Sequence, residues 1–357
     1  MVGEVVRLHD HGLRAFETGE LELSSLPARF HLNLTERCQL RCRHCITEAP
    51  LRSTSGIARD LSLEVLVALS PYLKNASYIS LCHAGEPTQA PAFWPLMELV
   101  AAVQAEHRPV VHLMTNGVNL DVEFFRRATK AGVQSWLISV DGLSAESHDW
   151  LRVGSRIGAL EQRIAEIGHV RRTENLDVRI GISWTVHRRN LSDLPSLPTR
   201  AAAWGLDVIK LEELYPINPL AEDLGRVAQT LVDPIVHAMQ QDAKRLGIVV
   251  ANHFHHGRTP RCRMSHEPQL AERCLADDFA NRTLVDPCFD PYQTIFVEPD
   301  GTVKPGSFSH RGAGNLLERS LGELWNGLEF QGWRRISRGK RICSSRPVCL
   351  AWRIDAS

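Results

Sequence analysis

RFHLNLTERCQLRCRHC, residues 29–45, carries the reading that decides the fold. Its first part, Phe30–Leu34, is a short β-prone apolar run with the look of a buried strand. Immediately after it, Cys38, Cys42 and Cys45 stand in a Cys-x3-Cys-x2-Cys spacing. Thiolates are soft, polarisable ligands that suit iron and zinc. Three of them on one loop can wrap a cube-shaped iron–sulfur cluster and leave one iron open, since such a cluster takes four ligands. A structural zinc site wants four ligands, and His44 is the local candidate for the fourth.

Working outward, strand-like and helix-like stretches alternate. Candidate strands are Phe30–Leu34, Ser77–Cys82, Val110–Met114, Ser135–Val140, Val178–Thr185 and Asp207–Glu212. Candidate helices between them are Leu63–Leu73, Phe93–Gln104, Val122–Ala131, Ile157–Arg171 and Leu194–Trp204. Strand–helix repetition predicts a parallel sheet with right-handed crossovers, curled into a full or partial barrel. In such folds the chemistry sits at the C-terminal strand ends. Polar and glycine residues fall there: Gly85-Glu86-Pro87, Thr115-Asn116-Gly117, Ser139 with Asp141 and Gly142, His187 with Asn190, and Glu213 with Tyr215. A further helix, Asp223–Leu246, ends the alternation. Glu298-Pro299-Asp300-Gly301 between the β-prone runs Thr294–Val297 and Thr302–Lys304 predicts a hairpin, and Leu321–Ile336 a helix.

Bulk properties bound the function. The 357 residues are 43% hydrophobic, ample for a barrel-sized core plus an appendage. Lys plus Arg, 41, balances Asp plus Glu, 41, which argues against a nucleic-acid partner. No apolar stretch reads as a signal peptide or membrane span, so the expectation is a cytoplasmic protein. In a reducing compartment the 9 cysteines read as metal ligands before they read as disulfides. Cys82 reads as a core cysteine, and His253, His255 and His256 as solvated loop histidines.

The three-cysteine loop after a first strand resembles the signature of the radical S-adenosylmethionine (radical SAM) superfamily. The resemblance implies a partial (β/α)6 TIM-like barrel, an α/β fold, in which Cys38, Cys42 and Cys45 hold a [4Fe–4S] cluster. S-adenosylmethionine would chelate the open iron, and an electron from the cluster would release a 5′-deoxyadenosyl radical that takes hydrogen from a substrate carbon. His44 stands where the family usually has an aromatic or large residue near the adenine, so the resemblance implies a cofactor-binding role for it. Gly85-Glu86-Pro87 resembles the family's Gly-Gly-Glu motif, with Glu86 expected to accept from the methionyl ammonium group. Thr115-Asn116 and Ser139-x-Asp141 match further cofactor-binding positions, and Arg152, in a His-Asp-x-x-Arg stretch, would hold the cofactor carboxylate.

The last seventy residues resemble the SPASM or twitch extension, a small β-hairpin plus helix that carries an auxiliary [4Fe–4S] cluster. Cys288, Cys343 and Cys349 are its candidate ligands. The chain departs from the family pattern: Pro305-Gly306 replaces Pro-Cys, and five residues separate Cys343 from Cys349. Three readings compete: a cluster with three thiolates and an open or borrowed ligand (His310, Cys274 or Cys262), a zinc site, or a lost cluster. The first is favoured. The expected organisation is a leader (1–28), the barrel (29–250), a linker (251–287) and the auxiliary cluster domain (288–357).

Only about 28 residues precede the barrel, too few for a folded recognition module, so a sugar- or amino-acid-derived small molecule is the expected substrate. The alternative is modification of a ribosomal peptide or protein residue. An external one-electron donor of flavodoxin or ferredoxin type is the implied partner. A rival of another class, a non-catalytic iron–sulfur or zinc protein, explains the cysteines but not the polar residues at every strand end.

Overall fold

The computed structural model describes residues 12–82, 84–215, 218–225, 227–253, 289–306 and 312–338. The strands are β1 (Arg29–Leu32), β2 (Arg41–Cys42), β3 (Tyr78–Leu81), β4 (Val110–Thr115), β5 (Val133–Ser139), β6 (Arg152–Val153), β7 (Arg179–Val186), β8 (Val208–Glu213), β9 (Val249–His253), β10 (Thr294–Val297), β11 (Thr302–Lys304) and β12 (Gly314–Asn315). Ten of them form one sheet in the order β12-β11-β10-β1-β3-β4-β5-β7-β8-β9. From β10 to β9 every neighbouring pair is parallel. Helices such as Val122–Ala131 and Ile157–Thr173 provide the crossovers. Asp121 starts the first of these by accepting from the Phe124 N–H, and Gly132 ends it.

The two faces of the sheet differ in kind. One register row reads Ile295, Phe30, Ile79, Val111, and another Ile138, Ile182, Ile209. These rows and the apolar helix faces share one continuous core. The opposite face carries Phe296, His31, Ser80, His112, Ser135 in one row and Ser139, Ser183, Lys210 in another. Most of these polar residues are buried although the helices pack on the other side. The sheet must therefore curl around them. Cys82, just past β3, lies within electrostatic reach of Lys210 and Glu212 on β8, with β4, β5 and β7 between them in the sheet. The curled parallel sheet is the expected partial barrel.

Several elements differ from expectation. The sheet gains β9, where the barrel was expected to end at 250. The hairpin of β10 and β11 is present, but β10 also pairs in parallel with β1, so it extends the barrel sheet. The helix expected over Asp223–Leu246 is two helices, Pro219–Gly225 and Gln229–Arg245, and Leu321–Ile336 is broken into Leu321–Trp325 and Leu328–Arg338. The segment before β1 packs on the C-terminal part: Phe16 meets Phe289 and Tyr292 edge-on, and Trp325 Nε1 donates to Ser25 O. Arg334, fully buried, donates to Pro291 O and Leu21 O with its guanidinium over the Trp325 ring. Cys288, Cys343, Cys349, Cys262, Cys274, His310, His255 and His256 lie outside the described residues. Among the described residues no helix is long and apolar enough to cross a membrane.

Candidate active site

The cysteine loop leaves β1 at the C-terminal rim of the sheet and is pinned by charge. Thr35 Oγ1 donates to Asp60 at 2.5 Å and Arg37 Nε to the same carboxylate at 2.8 Å. Glu36, buried, receives Arg52 and Arg59 at 2.9 Å each. Burial works to raise its pKa, but the two guanidiniums outweigh burial and hold it below the usual carboxylate range. Cys42 lies on β2, which pairs antiparallel with β6 and so sets Cys42 opposite Arg152.

Cys38, Cys42 and Cys45 are free thiols close enough to influence one another electrostatically. Burial pushes Cys38 up to about 11 and Cys42 up to about 12. Their thiolates therefore need a cationic guest. Among the described residues no three His, Cys, Asp or Glu side chains converge on a single ion. Three thiols on one loop, each within electrostatic reach of the others, suit a multi-iron cluster, whose irons each take one sulfur. The donor set fits the cluster.

Gly85 locks this loop to the end of β3. Its φ is +57°, and a Cβ there would lie 2.4 Å from Arg37 O and 2.5 Å from Thr35 O. The adjoining Glu86 N–H donates to Arg37 O at 2.7 Å. Glu86, expected to meet the methionyl ammonium group, also has partners within the fold. Its buried carboxylate accepts from Thr115 Oγ1 (2.7 Å), Asn116 N (2.7 Å), Thr88 Oγ1 (2.8 Å) and Thr88 N (3.3 Å). Those donors make it a brace between strand ends, with Pro87 opening the turn that Glu86 caps. Burial nevertheless raises its pKa against the pull of the donors.

On the other side stands Asp141, fully buried. It accepts from Arg152 Nε at 2.5 Å and from Thr185 N at 2.7 Å, and His44 Nε2 lies 3.3 Å away. Burial pushes its pKa up, but Arg152 and His44 prevail and hold it well below the usual range. Asn190 donates to Asp141 O and Thr185 O, and accepts from His187 N. His148 accepts from Asp141 N, its Nε2 lies 2.9 Å from Ser155 Oγ, and burial lowers its pKa to about 4. His44 Nδ1 and His187 Nε2 are buried without a hydrogen-bond partner. Both rings belong to residues near Asp141: His44 reaches it through its other nitrogen, and His187 lies within its electrostatic reach.

The structure thus gathers His44, Gly85, Glu86, Pro87, Thr115, Asn116, Asp141 and Arg152 around Cys38, Cys42 and Cys45. Ser139 is buried one step earlier on β5, in register with Ser183. Sequence reasoning missed the polar inner face. Asn33 Nδ2 and Lys304 Nζ both donate to Glu298, at 3.0 and 2.8 Å, and Lys210 pairs with Glu212. Cys82 is not part of the cysteine loop; Ser80 Oγ lies 2.8 Å from its sulfur. The available signal was a polar residue at every second position of otherwise apolar strands.

The profile of the Radical SAM superfamily matches residues 32–176, and that of the SPASM iron–sulfur cluster-binding domain matches residues 288–349. The chain belongs to the radical SAM superfamily. An AdoMet-dependent heme synthase of Methanosarcina barkeri is 25% identical over 348 residues, 94% of each chain. A tungsten-containing aldehyde ferredoxin oxidoreductase cofactor-modifying protein of Pyrococcus furiosus is 24% identical, across 89% of this chain and 88% of that one. In fold, the chain superposes on Streptococcus suis SuiB bound to precursor peptide SuiA with a TM-score of 0.62 at 13% identity, covering 91% of this chain and 70% of SuiB. Membership makes the chain an enzyme that uses S-adenosylmethionine and a [4Fe–4S] cluster, with further iron–sulfur ligation by the SPASM domain.

Proposed function

We propose that this radical SAM enzyme abstracts hydrogen from a carbon of a small polar molecule, a sugar- or amino-acid-derived intermediate, held on the inner face of the sheet. The observation that carries the reading is that face: a row of buried polar side chains, with the Lys210–Glu212 pair on its wall, leading to the rim where the three cysteines sit. A polar substrate can add hydrogen bonds to these already paired groups, whereas an apolar one would strip away their water and put nothing in its place, which is costly for polar and charged groups. When bound, the cluster supplies the electron that cleaves S-adenosylmethionine. Cys38, Cys42 and Cys45 would hold it, Asp141 keeps Arg152 aimed beside Cys42, and the buried, unpartnered nitrogens of His44 and His187 would be open to a hydrogen bond from the guest. An external low-potential protein donor would deliver the electron, and the C-terminal cysteines would hold the auxiliary cluster.

The test uses deuterated candidate substrates drawn from the products of neighbouring genes, with the reconstituted enzyme. Deuterium should pass into 5′-deoxyadenosine from a small polar substrate, and Lys210→Met should lower that transfer at least tenfold while leaving substrate-free cofactor cleavage intact. Transfer only from a peptide would replace this reading with the peptide one.

A further inference from the structure

Glu86 is bound at both ends. Its backbone N–H holds Arg37 O, one residue before Cys38, and its carboxylate holds the Asn116 N–H and the Thr115 hydroxyl. One residue therefore fixes the start of the cysteine loop relative to the turn after β4. The Asn116 side chain, buried, spans the gap: its Nδ2 lies 3.6 Å from Cys38 Sγ. The orientation of that amide is set locally. Val118 N donates to Asn116 Oδ1 at 3.0 Å, so the NH2 end must face the sulfur. Gln39 exchanges a second pair of contacts with the same amide, at 3.3 Å each way.

We infer that Asn116 sets the reduction potential of the cluster on this loop by donating an N–H···S hydrogen bond to Cys38, with Glu86 as the positioning residue that holds it there. This rests on the radical SAM reading of the cysteine loop. The physical basis is general. A donor to a ligating sulfur withdraws charge and favours the reduced, more negative cluster, so the potential rises. The barrier to the first electron is thereby lowered without any contact to the cofactor.

The experiment is a redox titration of the full-length, anaerobically reconstituted protein, followed by electron paramagnetic resonance. The loop cluster's signal is the one missing from the Cys38→Ala/Cys42→Ala/Cys45→Ala variant. Asn116→Leu removes the donor, and Asn116→Asp removes it while keeping an acceptor for the Val118 N–H. Both should keep the signal and the iron content of the wild type, and both should titrate at a more negative potential, so that a several-fold smaller fraction is reduced at a fixed poise. An unchanged potential in Asn116→Asp would overturn the inference. So would loss of the cluster in Asn116→Asp, because the side chain would then serve retention and not tuning. If the triple cysteine variant showed the same signals as the wild type, the reading of the loop itself would fail instead.

Discussion

Asp141→Asn removes the anion from a buried pair and keeps the shape. In the wild type, one carboxylate oxygen receives Arg152 Nε at 2.5 Å and the other receives Thr185 N at 2.7 Å. Arg152 has a side chain only 12% exposed, so it loses its counter-charge without gaining water. Breaking a buried pair from one side costs about 3–5 kcal/mol. The single Oδ1 of asparagine can still accept from Thr185 N, which keeps roughly one hydrogen bond of about 1 kcal/mol, while its NH2 group then faces the Arg152 donor. The expected loss is about 2–4 kcal/mol in the cluster-free protein, read as a lower urea midpoint. Arg152 would also turn from its place beside Cys42, so affinity for S-adenosylmethionine in the reconstituted variant should fall at least tenfold, or about 1.4 kcal/mol. An unchanged urea midpoint together with an unchanged dissociation constant would refute the role given to Asp141.

Three further outcomes follow from the geometry. Gly85→Ala would drive a Cβ into Arg37 O and Thr35 O, backbone atoms that cannot yield, so the cysteine loop should shift and iron content after reconstitution should drop by the share of one cluster; full iron with normal cofactor binding would contradict this. Arg334→Ala leaves Leu21 O and Pro291 O without their donor and should cost about 3 kcal/mol, seen in thermal unfolding and in faster proteolysis before β1. Burial holds His112 down to about 3 and His148 and His187 to about 4, against the ordinary value of 6.5. The unfolded chain takes up protons below pH 6.5 that the folded chain refuses, so this stability is present above pH 6.5 and is lost as the pH falls towards 4. Its slope should reach about 1.4 kcal/mol per pH unit for each histidine, and a flat stability profile between pH 6.5 and 4.5 would count against it.

Much of the barrel was legible because its strands are apolar runs closed by turn residues. Val122–Ala131, Thr294–Val297 and Thr302–Lys304 begin and end where the sequence predicts. Local signals could not show that β10 would pair in parallel with β1, since a hairpin turn reports only the partner across the turn. β9 was hidden because Val249–His253 is short and runs straight into a polar stretch. The long helix expected at 321–336 overlooked Asn326-Gly327, where Asn326 turns away to bond both backbone groups of Leu23. The cysteine loop was readable from spacing alone. The bracing contacts of Glu86 were not, because only folding brings Thr88, Thr115 and Asn116 to one carboxylate.

The central claim is that Cys38, Cys42 and Cys45 carry the cluster at which S-adenosylmethionine is cleaved. The direct measurement is 5′-deoxyadenosine formation by the anaerobically reconstituted protein, with dithionite as reductant and mass spectrometry as readout. The wild type should form it, and the variant with all three cysteines changed to alanine should form none while retaining the iron of the SPASM domain. Continued 5′-deoxyadenosine formation in that variant, or none from an iron-replete wild type, would contradict the account.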